Sequence, residues 1–167
     1  MPPADLKPNL YAQLDRLMGF FPRIDSKATF LLAIDFAMLG VLAKAFPLFH
    51  LASPRGVFAI VAGVLLSLSL GKLCVAFLPH FDSGEHTSIV YFKDIASLGW
   101  RGYHHAVATI SDDELIDDLT CQIWRNSEIL KIKFAAAEAA LIFMLIALPF
   151  WLMMLAAVTL RSGKVPF

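Results

Sequence analysis

The chain has 167 residues, of which 58% are hydrophobic and 17% charged, against roughly half apolar and about a quarter charged in an ordinary soluble domain. Its formal net charge of zero leaves no basic footprint for nucleic acid and no bias toward an acidic partner. The two cysteines, Cys74 and Cys121, fit no metal-ligand spacing and read as free thiols.

The N-terminal stretch MPPADLKPNLYAQLDRL lacks the basic, apolar and small-residue succession of a cleaved signal peptide. The first span is therefore expected to direct insertion. From Asn9 to Phe21, the residues Leu10, Leu14, Leu17, Met18 and Phe21 recur at helical spacing opposite Gln13, Asp15 and Arg16. That pattern predicts a short amphipathic helix within an N-terminal cytosolic segment, residues 1–27.

Three long apolar runs follow. The first, Ala28 to Phe46, is interrupted by Asp35 and closed by Lys44 and Pro47. The second, Val57 to Leu78, carries one interior charge at Lys72, and the third, Phe134 to Leu160, carries Glu138 near its start. Each has the roughly 20 residues needed to cross about 30 Å of hydrocarbon. Uninterrupted apolar runs mean helices, because barrel strands alternate. Pro47, Pro54 and Gly56 in the short connection break the chain into a helical hairpin, residues 28–78. Residues 79–133 form a polar insertion, 134–160 the third span and 161–167 a tail. The chain is predicted to be an all-α membrane protein with three transmembrane helices: a two-helix hairpin, then a long third helix continuing from a cytosolic helical insertion.

Basic residues set the orientation. Lys7, Arg16, Arg23 and Lys27 precede the first span, and Lys93, Arg101, Arg125, Lys131 and Lys133 lie in the insertion. Only Lys44 and Arg55 flank the hairpin connection, and Arg161 and Lys164 follow the third span. The N-terminus and the insertion are expected to share the cytosolic side of a cell inner membrane.

Within the insertion, Ser88 to Leu98 predicts an amphipathic helix with Ile89, Phe92, Ile95 and Ala96 on one side. Gly99 and Gly102 bracket Trp100 and Arg101, and Tyr103, His104 and His105 follow. Ser111 and Glu114 have the spacing of a capping box, reinforced by Asp112 and Asp113 in the first turn. No glycine or proline then intervenes until Pro149. One continuous helix of about 75 Å is expected from Ser111 through the membrane, with Pro149 as a natural kink. Ile116, Leu119, Ile123, Asn126 and Leu130 form a seam at spacings of three and four. Such a seam packs within the monomer or against another subunit.

Counted from the ends of their spans, Asp35, Lys72 and Glu138 lie at depths of about 10, 9 and 6 Å. Ionisable side chains at such depth usually face the bundle interior or water. Two readings stand for this intramembrane charge cluster. Lys72 bridges Asp35, Glu138 or both, or else Lys72 and Glu138 reach the headgroups and Asp35 faces inward.

Catalytic and metal constellations are missing: there is no phosphate loop, nucleophile elbow or His-Glu-x-x-His pattern. Adjacent His104 and His105 aim apart, unlike a metal pair, and Asp112 to Asp118 is explained by capping and a solvated face. The expectation is no enzyme, no catalytic residue, no metal and no cofactor.

Specific residues carry a resemblance. Arg23-Ile24-Asp25-Ser26-Lys27-Ala28 is similar to an Asp-x-Lys-Ala signature ahead of a membrane helix. Tyr91-Phe92-Lys93-Asp94-Ile95-Ala96, Tyr103, Asp117-Asp118-Leu119, Gln122-Ile123 and Lys133 continue the pattern in order. From Arg23 to the third span the chain resembles the membrane-spanning effectors of Pycsar (pyrimidine cyclase) anti-phage defence systems. The resemblance implies a partner pyrimidine nucleotide cyclase that makes cyclic CMP or cyclic UMP on infection. It also implies an effector that answers this ligand by impairing the inner membrane, so that infection is abortive.

A cyclic pyrimidine nucleotide needs a cation for its phosphate and an aromatic or apolar wall for its base. Arg23, Lys27, Arg101 and Arg125 are the cationic candidates, and Tyr91, Trp100, Tyr103 and Trp124 the aromatic ones. The same residue types also mark membrane interfaces and hold lipid headgroups, and Asp25 with Lys27 also reads as a structural ion pair. Membrane lipid and further copies of the chain, in a homo-oligomer, are the expected partners. The competing functions are a nucleotide-independent channel or transporter subunit, or a membrane scaffold anchored through the Ile116–Leu130 seam.

Overall fold

The computed structural model describes residues 6–45, 53–78 and 87–162. Pro47 and the rest of the hairpin connection up to residue 52, the start of the insertion up to residue 86, and the tail from residue 163 lie outside the described residues. Five helices follow in chain order: α1 (Leu6–Met18), α2 (Phe20–Ala45), α3 (Pro54–Phe77), α4 (Phe92–Thr109) and α5 (Asp112–Ser162). The fold is an all-α membrane protein, and α2, α3 and α5 are long and apolar enough to span a bilayer.

Two compact units divide the chain. One comprises 1–23 with 79–131, the other 24–78 with 132–167. Helices α2 and α5 contribute residues to both.

In the spanning unit, α2, α3 and α5 pack through three buried layers. Ala28, Leu73, Ala76, Ala136 and Ala140 form the first. Met38, Leu66, Met144 and Ala147 form the second, and Leu42, Ala45, Ala59, Met154 and Val158 the third. Alanine recurs because association inside lipid gains little from apolar burial and relies on close backbone approach. At Gly63 of α3 an added Cβ would stand 3.1 Å from Leu42 Cδ2, so a side chain there would require the Leu42 tip to give way by a few tenths of an ångström. Trp151 Nε1 donates to the Met38 carbonyl at 3.1 Å, a direct polar tie between α5 and α2.

The second span starts earlier than its apolar run. Ser53 caps α3 by accepting from the Gly56 N–H at 3.2 Å, and Pro54 opens the helix. Proline suits this first position, where its missing N–H would have had no partner. Pro54 and Gly56, expected as breakers, therefore begin the helix. The first span likewise extends back to Phe20, and α1 stops at Met18, short of the expected Phe21. Gly19 lies between them, with its N–H on the Asp15 carbonyl at 3.0 Å.

The expected long helix is present: α5 is one element of 51 residues that runs through Pro149. The proline has no N–H for the Leu145 carbonyl, so one rung of the ladder is missing there. Within the other unit the α5 seam is turned inward. Leu119, Ile123 and Leu130 are buried, while Ile116 and Asn126 are half-buried. Asn126 Nδ2 donates to the Gln122 carbonyl on its own helix at 2.8 Å.

The helix expected from Ser88 begins only at Phe92. Phe92 is exposed, so it does not join the apolar side the spacing suggested. Helix α4 is bent at Gly99, whose φ of 63° and ψ of 171° are non-helical. A Cβ is strained at that φ, which accounts for glycine there.

Candidate functional site

The unit built from α1, α4 and the first turns of α5 contains a groove of about 510 Å³. Its described walls are Thr87 and Ile89 ahead of α4, Ala106, Thr109 and Ile110 at the end of α4, and Glu114, Asp117, Asp118, Cys121 and Gln122 along one side of α5. The i, i+3, i+4 spacing of the α5 residues places them on one helical face.

Side chains that absorb exposed backbone donors fix the shape of this groove. The Ser88 N–H donates to Asp94 Oδ2 at 2.9 Å, and the Ile89 N–H to Asp118 Oδ2 at 3.0 Å. The Val90 and Tyr91 N–H groups both donate to Ser88 Oγ, at 3.0 and 2.9 Å. Successive donors from Ser88 to Tyr91 are thus met by carboxylates or a hydroxyl. This explains why the segment is ordered without being helical, and why Ser88 is buried. Charge-assisted bonds of this kind are stronger than neutral ones.

At the other wall, the Ser111 N–H and hydroxyl donate to Glu114 Oε2 at 2.8 and 2.7 Å. The Glu114 N–H returns to Ser111 Oγ at 3.3 Å. This is the capping box that the sequence predicts. The bond from the Ser111 N–H, then that from its hydroxyl, holds the Glu114 carboxyl below its ordinary pKa. Lys7 of α1 pairs with Asp112 beside the same turn.

Glu114, Asp117 and Asp118 make this wall acceptor-rich, with Thr87, Thr109 and Gln122 as further polar groups and Ile89, Ala106 and Ile110 as the apolar part. Its chemistry suits a ligand that offers N–H and O–H donors along one edge. Among the described residues, no group of three His, Cys, Asp or Glu side chains is placed to hold a metal ion.

None of the eight residues proposed from sequence is among the described walls of this groove. Arg23 is exposed and lies 5.5 Å over the Phe20 ring. Lys27 is exposed. Tyr91 stands edge-on to Phe92 with ring centroids 5.0 Å apart. Trp100, 77% exposed, has its ring tilted 48° to that of His104, with centroids 5.8 Å apart. Arg101 is exposed, Tyr103 half-buried and Trp124 exposed. Arg125 is half-buried and lies one turn beyond Cys121 and Gln122 on α5, which makes it the basic candidate most directly in line with the groove face. Spacing alone could not show that Asp94 and Asp118 would return to one non-helical segment.

The spanning unit corrects two further expectations. Asp25 pairs with Lys133 at 2.7 Å, a residue distant in sequence, and Lys27 is left exposed. Of the two readings for Asp35, Lys72 and Glu138, the bridge from Lys72 is not formed among the described residues. Asp35 is fully buried and both its carboxyl oxygens lack a hydrogen-bond partner among the described residues, as does Ser69 Oγ. Lys72 and Glu138 are exposed, and the ion pairs among the described residues are Lys7–Asp112 and Lys133–Asp25.

An all-helical chain with three candidate spans and a grooved helical unit defines a membrane protein with a built-in polar domain. A family model described as the Pycsar effector protein domain matches residues 9–160, nearly the whole chain. The chain belongs to that family and is an effector of an anti-phage defence system. No curated protein and no solved structure matches it.

Proposed function

We propose that the effector is switched by a cyclic pyrimidine nucleotide, cyclic CMP or cyclic UMP, and that the switched form impairs the cell inner membrane. The observation that carries this reading is the shared helix. The groove wall from Glu114 to Gln122 and the third span both belong to α5, so ligand at the wall touches the same helix that supplies a span. The helical unit faces the cytosol, where a partner pyrimidine cyclase releases the messenger.

The ligand's sugar hydroxyl and base N–H groups are donors, and the carboxylates of Asp117 and Asp118 accept them. The phosphate turns away from these acids toward Arg125, whose planar guanidinium suits two phosphate oxygens at once. Switching requires that the nucleotide bind the active arrangement better than the resting one, since equal affinity shifts nothing. The active arrangement is a homo-oligomer in contact with lipid.

The test is dye release from liposomes containing the full chain, titrated with cyclic CMP, cyclic UMP and cyclic AMP. Release driven by one cyclic pyrimidine nucleotide, and weakened at least tenfold in apparent affinity by Arg125→Ala, is the expected outcome. Release that ignores nucleotide altogether would overturn the reading.

A further inference from the structure

Lys72 and Glu138 are both exposed on the surface of the spanning unit, and among the described residues neither has an ion-pair partner. They stand at one level of the bundle. Lys72 adjoins Leu73, and Glu138 lies between Ala136 and Ala140; Leu73, Ala136 and Ala140 all belong to the same buried layer. Glu138 is about 7.5 Å further along the axis of α5 than Lys133, at about 1.5 Å per residue. A lysine can lift its ammonium along an apolar stem toward water. Glutamate has a shorter stem, so lifting relieves it less.

Around both charges the surface is apolar. Leu68 and Val75 flank Lys72 on α3 with their side chains exposed, and Leu141 and Ile142 follow Glu138 on α5. Gly71, beside Lys72, has nothing within 4 Å of where its Cβ would be. That leaves open space in which another helix backbone can come close, as helices in lipid do over small residues. Opposite charges at one level of the bundle, each exposed and without an ion-pair partner among the described residues, are complementary to one another. The exposed charges of spanning helices normally find partners.

We propose that Lys72 of one copy pairs with Glu138 of a second copy, with Gly71 at the closest approach, and that this contact builds the membrane assembly. The contact specifies the interface of the homo-oligomer proposed above and rests on that assembly. It is independent of which nucleotide acts.

The test uses full-length chain in native-like membranes with Cys74→Ser and Cys121→Ser as background. Lys72→Cys and Glu138→Cys are placed on separately tagged copies and expressed together, so that a disulfide joining the two tags can form only between copies. Oxidation is expected to give that mixed-tag product. Lys72→Glu or Glu138→Lys alone should lose the oligomer on native mass measurement, and the double reversal should regain it. Absence of the mixed-tag product while the background protein remains oligomeric would overturn the contact and leave the assembly standing. A monomeric background protein would overturn both.

Discussion

Asp25, Asp94, Asp118 and Lys133 belong to the residues through which the sequence resembles its family, and in the structure each has a bonding duty. Asp25 and Lys133 pair with one another; Asp94 and Asp118 take backbone donors from Ser88 and Ile89. Their pattern therefore reports how the chain is held, ahead of what it binds. Asp118→Ala leaves the Ile89 N–H without its charged acceptor, and bonds to charged groups contribute about 1.5 to 3 kcal/mol. Hydrogen exchange at the Ile89 amide should accelerate accordingly. The Ile110 amide, bonded to the Ala106 carbonyl, should keep its protection. Equal exchange at both positions before and after substitution would remove Asp118 from this role. The sequence made the capping box legible because Ser111 and Glu114 are three residues apart. It could not show the Asp118–Ile89 bond, whose partners meet only after α4 and α5 have formed.

Among the helices, α5 contributes both to the groove wall and to the third span. Its length was readable because nothing from Ser111 to Pro149 breaks a helix. The bend in α4 was half-readable: two glycines marked the place, but only the backbone angles identify Gly99 as the hinge. Helix starts were less legible, since Pro54 and Phe20 begin their helices ahead of the apolar runs, where capping governs and hydropathy does not. Ile132→Pro would remove the rung to the Glu128 carbonyl and crowd it, at a cost of about 3 kcal/mol or more. Nucleotide binding measured by calorimetry should survive this change while nucleotide-driven dye release is lost, with Ile132→Ala as the control. Release at the wild-type level would separate the function from the continuity of the helix.

On the scale of the molecule, the two spans α2 and α3 lie between the N-terminal helix and the insertion, so both are expected on one side of a bilayer, and the basic residues predict that side to be the cytosol. Cys121 is an exposed free thiol in the insertion. In a Cys74→Ser background a membrane-impermeant maleimide should label Cys121 only after the inner membrane is opened. Labelling of intact spheroplasts would invert the topology and place the groove beyond reach of an intracellular messenger. Span number and fold class came directly from the apolar runs. The burial of Asp35 and the exposure of Lys72 and Glu138 did not, because depth along a helix is read from residue count whereas the direction a side chain faces depends on where the other two helices lie.

Asp35 and Ser69 have a consequence for how firmly α2 and α3 hold together. A hydroxyl elsewhere in the span, that of Ser67, bonds back to its own helix at Gly63, whereas these two groups sit idle between layers of alanine, leucine and methionine. Burying polar atoms without a protein partner subtracts from the stability of the form that encloses them. A rearranged bundle that admits even a few waters at that level recovers the lost hydration. The arrangement that encloses Asp35 and Ser69 is thereby shallower than an all-apolar version of the same three helices would be.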